Sequence, residues 1–371
     1  MIVLVLVCIV TSAGNNIYGK TMGSTNSMTG YPAFLLYATT LVYTLGFWIM
    51  AKRAGQNVWT WTKPQMRQYK LLGLWTALNG VTFQFADTWV DGATQQLIVS
   101  LMPVFVLILS YLFLPKFKVS RREWFGSLIV FGGVACGLVP IFRKHGGSSD
   151  GQFNKWWWIV AFIASVGFQA MELVQQELAF KQECPTYVTL FWYNLISLGA
   201  YVLTIPFEAV KIMNGHNYGL SFGESFRRQG DAFKCFFGQP TKASLLSGDC
   251  GAHTFAWVSP VLFILFYIGM FASQALLIKN ANAFAAIMVQ AAAPPIAAAV
   301  FVSPFLVGAV NVTSFSWWMA IGFSFIFVGL LIKGIASHHE PEVSTDYVVL
   351  NVDTRNTINQ QIFGRGSVSL P

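Results

Sequence analysis

Asp91-Gly-Ala-Thr-Gln95-Gln96-Leu-Ile-Val-Ser100-Leu-Met-Pro103 opens an apolar run that continues to Leu114. An acid, four amide or hydroxyl groups and a proline sit in a stretch otherwise apolar enough to lie in lipid. An echo lies near the other end of the chain. Asn282-Ala-Phe-Ala-Ala-Ile-Met-Val-Gln290-Ala-Ala-Ala-Pro294-Pro295 again sets an acid or amide twelve residues before a proline. The match is faint, but two copies of one unusual helix imply a two-fold repeat around a central site.

Composition places both copies in a membrane. Of 371 residues 55% are hydrophobic and only 10% charged, with 33 Phe and 13 Trp. Soluble domains carry roughly 25% charged residues, whereas a bilayer asks for apolar stretches of about 20 residues whose backbone is satisfied internally. The chain is therefore expected to be an all-α polytopic membrane protein, with the lipid bilayer as its surroundings. The net charge of +8 then reflects loops rather than a nucleic-acid surface, and no nucleic acid is expected as a partner.

Apolar runs at about 1–18, 33–51, 71–90, 94–114, 124–142, 156–180, 187–206, 256–278, 283–309 and 315–335 predict ten transmembrane helices. The first lacks the basic flank of a cleaved signal, and its polar end, Thr11-Ser-Ala-Gly-Asn15-Asn16, reads as a functional helix. Lys52, Arg53, Lys63, Arg67 and Lys70 follow the second run, and Lys116, Lys118, Arg121 and Arg122 follow the fourth; the turns after runs one, three and nine hold only Lys20. Positive residues gather on the cytosolic side, so both termini are expected there. Five helices in each half force the second half to enter the membrane the other way up, which is an inverted repeat. The predicted organisation is a first repeat over 1–142, a second over 156–335 and a cytosolic tail over 336–371.

Two segments lie outside that plan. The luminal loop 208–253 contains Phe222-Gly-Glu-Ser-Phe-Arg-Arg-Gln-Gly-Asp-Ala-Phe-Lys-Cys-Phe-Phe237, where aromatic and basic residues alternate at near-helical spacing, as in a helix lying on a membrane surface. It also holds Cys235 and Cys250, which form a disulfide if the loop faces an oxidising lumen and stay as two thiols otherwise. In the tail, Tyr347-Val-Val-Leu350 has the form of a tyrosine-based endolysosomal sorting signal, which would engage sorting adaptors. Asn311-Val-Thr313 is a glycosylation sequon close to the membrane.

Ionisable and amide groups at bilayer depth are costly and usually functional. The sixth run carries Ser165, Gln169, Glu172 and Gln176 on one helical face, with Glu177 beside it. Such a stripe serves as interhelical glue or as the lining of a cavity. A carboxyl taken out of water favours its protonated form, and an acid that trades a proton is what a proton-coupled carrier needs. Glu172, Glu177 and Asp87 are therefore the candidate proton-coupling residues. Gln84, Gln96, Ser100, Pro103, Gln169, Gln176, Gln274, Gln290 and Pro294 are the candidate substrate-cavity residues. Asp91 reads equally as the cap of the fourth run. Pro103 and Pro294 permit kinks, and Lys279 is expected to snorkel at a helix end.

No His and Cys cluster has metal spacing, no phosphate-binding Gly-Lys-Ser/Thr motif occurs, and no nucleophile with its base and orienter can be assembled. Neither an enzyme, a metal site nor a cofactor is expected.

Ten spans in two inverted halves, with proline-bearing fourth and ninth helices, resemble the drug/metabolite transporter superfamily. Gly92-to-Pro103 with the Lys-rich turn and Trp124-Phe-Gly126, Gln176-Glu177-Leu-Ala-Phe-Lys181, Ile205-Pro206, Gly230-Asp-Ala-Phe-Lys-Cys-Phe-Phe-Gly238 and Gln290-Ala-Ala-Ala-Pro294-Pro295 resemble its chloroquine-resistance-transporter-like branch. The resemblance implies a secondary active exporter of small solutes, namely amino acids, short peptides or organic cations including drugs, from an acidic vacuole or lysosome to the cytosol. Proton coupling, with an acid at the position of Glu177, is implied with it. Parasite members of that branch carry four loop cysteines in two bridges, so at most one bridge, Cys235–Cys250, is carried over. A monomer or dimer that handles a small-molecule substrate and protons is the resulting expectation. Two alternatives stand beside it: a nucleotide-sugar or other metabolite carrier of the same superfamily, and a non-transporting scaffold or sorting receptor that uses the loop and tail.

Overall fold

The computed structural model describes residues 2–24, 31–87, 89–114, 119–144, 153–209, 221–237, 239, 257–303 and 316–339. Helices account for its regular structure, and no strand occurs among the described residues. The first half comprises α1 (Ile2–Ser24), α2 (Pro32–Arg53), α3 (Lys63–Asp87), α4 (Gly92–Val99), α5 (Met102–Phe113) and α6 (Arg121–Lys144). The second comprises α7 (Phe153–Lys181), α8 (Thr186–Val202) followed by a 3-10 turn, the short α9 (Phe222–Phe236), α10 (Val258–Asn280), α11 (Ala283–Gln290), α12 (Ala293–Val302) and α13 (Trp317–His339).

Eight segments are long and apolar enough to cross a membrane: Ile2–Thr21, Pro32–Arg53, Gly92–Phe113, Arg121–Val139, Trp157–Lys181, Thr186–Phe207, Val258–Asn280 and Ala283–Val302. The other two expected spans are helices of a different kind. Around 71–90 the chain is helical, but α3 carries Lys70, Asn79, Gln84 and Asp87 and is too polar to qualify on composition. The last, α13, is apolar over Trp317–Lys333 and continues as helix to His339. The surface is inverted relative to a soluble protein. Along α2, Leu41, Val42, Leu45 and Ile49 face outward while Thr39, Thr40, Tyr43 and Thr44 are buried. Outward aliphatic residues are what lipid selects, and a buried threonine is tolerated because its hydroxyl bonds back to its own helix, as Thr39 does to Leu35 O at 2.6 Å.

The two quoted stretches fold into the same device. Asp91 caps α4 by accepting from Thr94 N at 3.0 Å and from the Thr94 hydroxyl at 2.6 Å. Asn282 caps α11 by accepting from Ala285 N at 2.6 Å. Each cap starts an eight-residue helix, a two-residue break follows, and a second helix begins with proline in its first turn. Proline has no N–H to continue the ladder but fits a helix start, so the chain breaks at Ser100-Leu101 and Ala291-Ala292.

Five helix pairs build the body: α1 with α10, α3 with α7, α2 with α8, the broken α4–α5 with the broken α11–α12, and α6 with α13. Glycines bring the last pair into backbone contact. A side chain on Gly133 would meet the Gly322 carbonyl at 2.7 Å, and one on Gly126 would meet that of Gly329 at 2.7 Å. The main buried apolar cluster runs along α4–α5, α7 and α11, with Val130, Val134 and Leu138 of α6.

The expected surface helix is present as α9. Ser221 and Glu224 form a capping box. Ser225, Arg228, Ala232 and Cys235 turn inward onto Tyr31 and Phe34, while Phe222, Phe226, Phe233 and Phe237 face out. Only half of the expected Cys235–Cys250 bridge can be placed: Cys235 is buried on α9, and Cys250 lies outside the described residues. Tyr347, Leu350 and the Asn311 sequon lie outside them as well.

Candidate functional site

A cavity opens where the two broken helices meet. Its walls come from α1 through Ser12, Asn15 and Asn16, from α3 through Thr76, Asn79 and Gln84, and from α7 through Gln169. Gln95, Gln96 and Pro103 line it from α4–α5, and Gln290 and Pro294 from α11–α12. Tyr43, Tyr201, Tyr267 and Phe271 form the aromatic side, where Tyr43 and Tyr267 stack at 4.1 Å and Tyr267 and Phe271 at 4.2 Å. Its volume is about 120 Å³. Among the described residues no Lys, Arg, Asp or Glu lines it.

Six of the nine expected cavity residues reach the wall: Gln84, Gln96, Pro103, Gln169, Gln290 and Pro294. Three do not. The Ser100 hydroxyl bonds back to Gln96 O at 2.9 Å, within its own helix. Gln274 and Gln176 sit behind the wall in an amide relay: Gln290 Nε2 donates to Gln274 Oε1 at 2.5 Å, and Gln274 Nε2 donates to Gln176 Oε1 at 3.5 Å. These amides tie α11, α10 and α7 together beneath the cavity.

The three acids occupy different surroundings. Asp87, at the α3–α4 turn, is 1% exposed and lies 3.7 Å from Lys20 Nζ. Gln95 Nε2 donates to its carboxylate at 2.6 Å, while Lys20 donates to the Asp87 carbonyl and, at 2.8 Å, to Val90 O. This knot joins α1, α3 and α4 at one end of the cavity. Glu177 stands at the other end of the bundle, accepting from Ala283 N at 2.7 Å and from exposed Lys181 at 2.6 Å. It is thus an added cap on α11, where a carboxylate meets the unfilled donors and positive pole of a helix start. Glu172, one turn deeper, has neither kind of support. It is 1% exposed and neither carboxyl oxygen has a hydrogen-bond partner.

Sequence reasoning missed much of the wall, including Thr76, Asn79, Gln95 and the tyrosines, and two buried cations. Ser12, Asn15 and Asn16 belong to the polar end of the first run, which reads as a functional helix. Lys20 reads as a turn residue but is buried beside Asp87, and Lys333 reads as the end of the last span but is fully buried. Its ammonium donates to Pro103 O at 3.3 Å and lies 5.5 Å from the Phe284 ring. Lys279 is exposed at the end of α10, as expected.

A helical bundle with aliphatic residues outside and a polar cavity at paired helix breaks is the architecture of a multi-pass membrane transporter. The chain matches the family model described as CRT-like, chloroquine-resistance transporter-like, over residues 1–333, and it belongs to that family within the drug/metabolite transporter superfamily. It is similar to Crt homolog 1 of Dictyostelium discoideum, 30% identical over 162 residues that cover 42% of this chain and 33% of that protein. It is also similar to Crt homolog 3 of the same organism, 28% identical over 130 residues covering 34% and 26% of the two chains. The matched stretches thus span a third or less of these relatives. A solved structure described only as a protein crystal structure shares the fold, with a TM-score of 0.55 at 15% identity, covering 91% of this chain and 98% of that one.

Proposed function

We propose that this transporter exports small ammonium-bearing solutes (amino acids, short peptides or organic cations) from an acidic vacuole or lysosome to the cytosol, driven by the proton gradient. The observation that carries this reading is the acceptor-rich wall. Asn15 Oδ1 and Gln96 Oε1 are buried without partners. Pro103 and Pro294 have no N–H to return to the carbonyls of Val99 and Gln290, and both of those residues line the cavity. Such oxygen acceptors suit a positively charged donor. A nucleotide-sugar carrier would need cations for a diphosphate, and none lines the cavity among the described residues. The volume also falls below the roughly 300–1,000 Å³ of drug-sized sites, which favours small cargo in this conformation.

Alternating access between two inverted five-helix repeats is part of the proposal. Its support is the pairing pattern. A two-fold axis that exchanges spans one to five with six to ten turns the α1–α10 contact into the α3–α7 contact and maps the other three pairs onto themselves. Both termini are placed in the cytosol by the basic loops, and the Tyr347 signal is assigned to delivery to the endolysosomal membrane.

The test is uptake into proteoliposomes with an acidic interior or exterior, using radiolabelled arginine, a dipeptide and chloroquine. Transport of at least one of them, accelerated by the gradient and abolished by a protonophore, is expected. No movement of any of the three overturns the cargo assignment, and flux indifferent to the gradient overturns the coupling.

A further inference from the structure

We propose that Glu172 takes up the coupled proton and that Thr76 is the residue through which the proton passes between cavity and carboxyl, an inference that rests on the proton-coupled reading above. Four buried oxygens carry it. Both carboxyl oxygens of Glu172, the Thr76 hydroxyl and the Tyr193 hydroxyl all lack hydrogen-bond partners. The two hydroxyls stand beside the carboxyl without meeting hydrogen-bond geometry. Buried polar atoms are nearly always satisfied, and a group of unsatisfied ones around an acid marks a site that something else fills. A single proton with a water would serve all four oxygens, giving each a donor or an acceptor.

Thr76 joins the carboxyl to the cavity by a hydroxyl that makes no other bond, whereas the hydroxyls of Tyr43 and Tyr201, which line the cavity too, are engaged with Thr40 and with the Thr76 carbonyl. It lines the cavity and faces Glu172, whereas neither Glu172 nor Tyr193 reaches the cavity wall. The other titratable groups facing Glu172 are Tyr43 from α2, Tyr193 and Tyr201 from α8, and Tyr267 from α10. No basic side chain faces it among the described residues. Asp87 and Glu177 are already held by Lys20 and Gln95, and by Lys181 and Ala283 N, so a proton on either would cost existing bonds. Glu172 gains a proton without losing any.

The transfer balances. A proton from cavity water binds the Thr76 oxygen, and the hydroxyl's original proton moves to Glu172. The carboxylate becomes a carboxylic acid, Thr76 is restored, and its rotation about χ1 resets the path. Release runs the same steps backward. Three of the tyrosines beside the chamber, 43, 201 and 267, also line the cavity, so cargo and proton meet at one wall. That contact lets occupancy of one site bias the other.

Infrared difference spectroscopy of the full chain in liposomes tests the site without knowing the cargo. The carboxylic C=O band is followed through a pH titration and during hydrogen–deuterium exchange. One component of that band is expected in wild type and in Glu177→Gln and is expected to be missing in Glu172→Gln. Its exchange should slow by about 100-fold in Thr76→Val, the scale of a lost proton-transfer partner, and recover in Thr76→Ser. The Tyr201 hydroxyl donates to the Thr76 backbone carbonyl at 2.7 Å, so α3 stays anchored in both variants. A band unchanged between wild type and Glu172→Gln overturns the site, and unchanged exchange in Thr76→Val overturns the path. Gradient-driven arginine, dipeptide or chloroquine flux measured alongside separates the two levels. If wild-type flux is indifferent to the gradient, the coupling reading falls while the spectra still decide the site; if wild type is coupled and Glu172→Gln keeps its pH dependence, only the present assignment falls.

Discussion

At the scale of single residues, buried charge does two jobs. Lys20 and Asp87 hold three helices in one knot, and removing either charge takes from the other the opposite charge it now faces in a buried site. Asp87→Asn and Lys20→Met are each expected to destabilise by about 3–5 kcal/mol, the usual cost of breaking a buried pair. The double variant should regain most of that loss, and thermal melting in detergent reads the difference; equal melting of single and double variants would remove the pair from the account. Lys333 is a simpler case. Its ammonium meets the Pro103 carbonyl and the Phe284 ring, so it pins the outer α6–α13 pair to the two broken helices. Lys333→Met should preserve fold and membrane insertion but alter the rate of cargo release. Unchanged transport kinetics would leave Lys333 with a packing role only.

Among elements, α6 and α13 depend on having no side chain where they cross. Gly133→Leu would drive a branched chain into the Gly322 carbonyl. Overpacking of a close helix contact costs about 1–3 kcal/mol or more, and the variant should melt earlier while Gly132→Leu, which meets no atom within 4 Å, should not. The cap of α9 carries a pH dependence. The Ser221 backbone N–H, then its hydroxyl, hold the Glu224 carboxyl below its ordinary value. Its contribution is therefore complete above the ordinary value of 4.5 and is lost as pH falls through the lower folded value. The protection of α9 amides relative to their intrinsic exchange rate should be constant from neutral pH down to 4.5 and fall below it. Loss of protection already between neutral pH and 4.5 would contradict the cap.

For the whole molecule, topology is the open prediction. Single cysteines placed at residue 56 and in the tail, in a chain without its native cysteines, should both react with an impermeant thiol reagent from the cytosolic face, and one placed near residue 221 should not. Labelling of the first two from opposite faces would refute the inverted repeat. The two broken helices were legible in the sequence because each stretch must solve one problem: a broken helix in lipid needs a cap, a break and a proline at fixed spacing. The polar stripe of α7 was legible for the same reason, since period and composition alone forbid it to face lipid. What could not be read was the partner of each polar group. Glu177 and Glu172 differ by five positions and share a residue type, yet one meets a helix start and the other finds no hydrogen-bond partner. Lys20 and Lys333 sit at the ends of apolar runs, where a lysine is ordinarily wet. The sequence by itself determined the membrane setting, the broken helices and the inward stripes, all of which follow from local periodicity. The tertiary structure decided which oxygens remain without partners, because satisfaction of a buried polar atom depends on residues that packing brings from other helices.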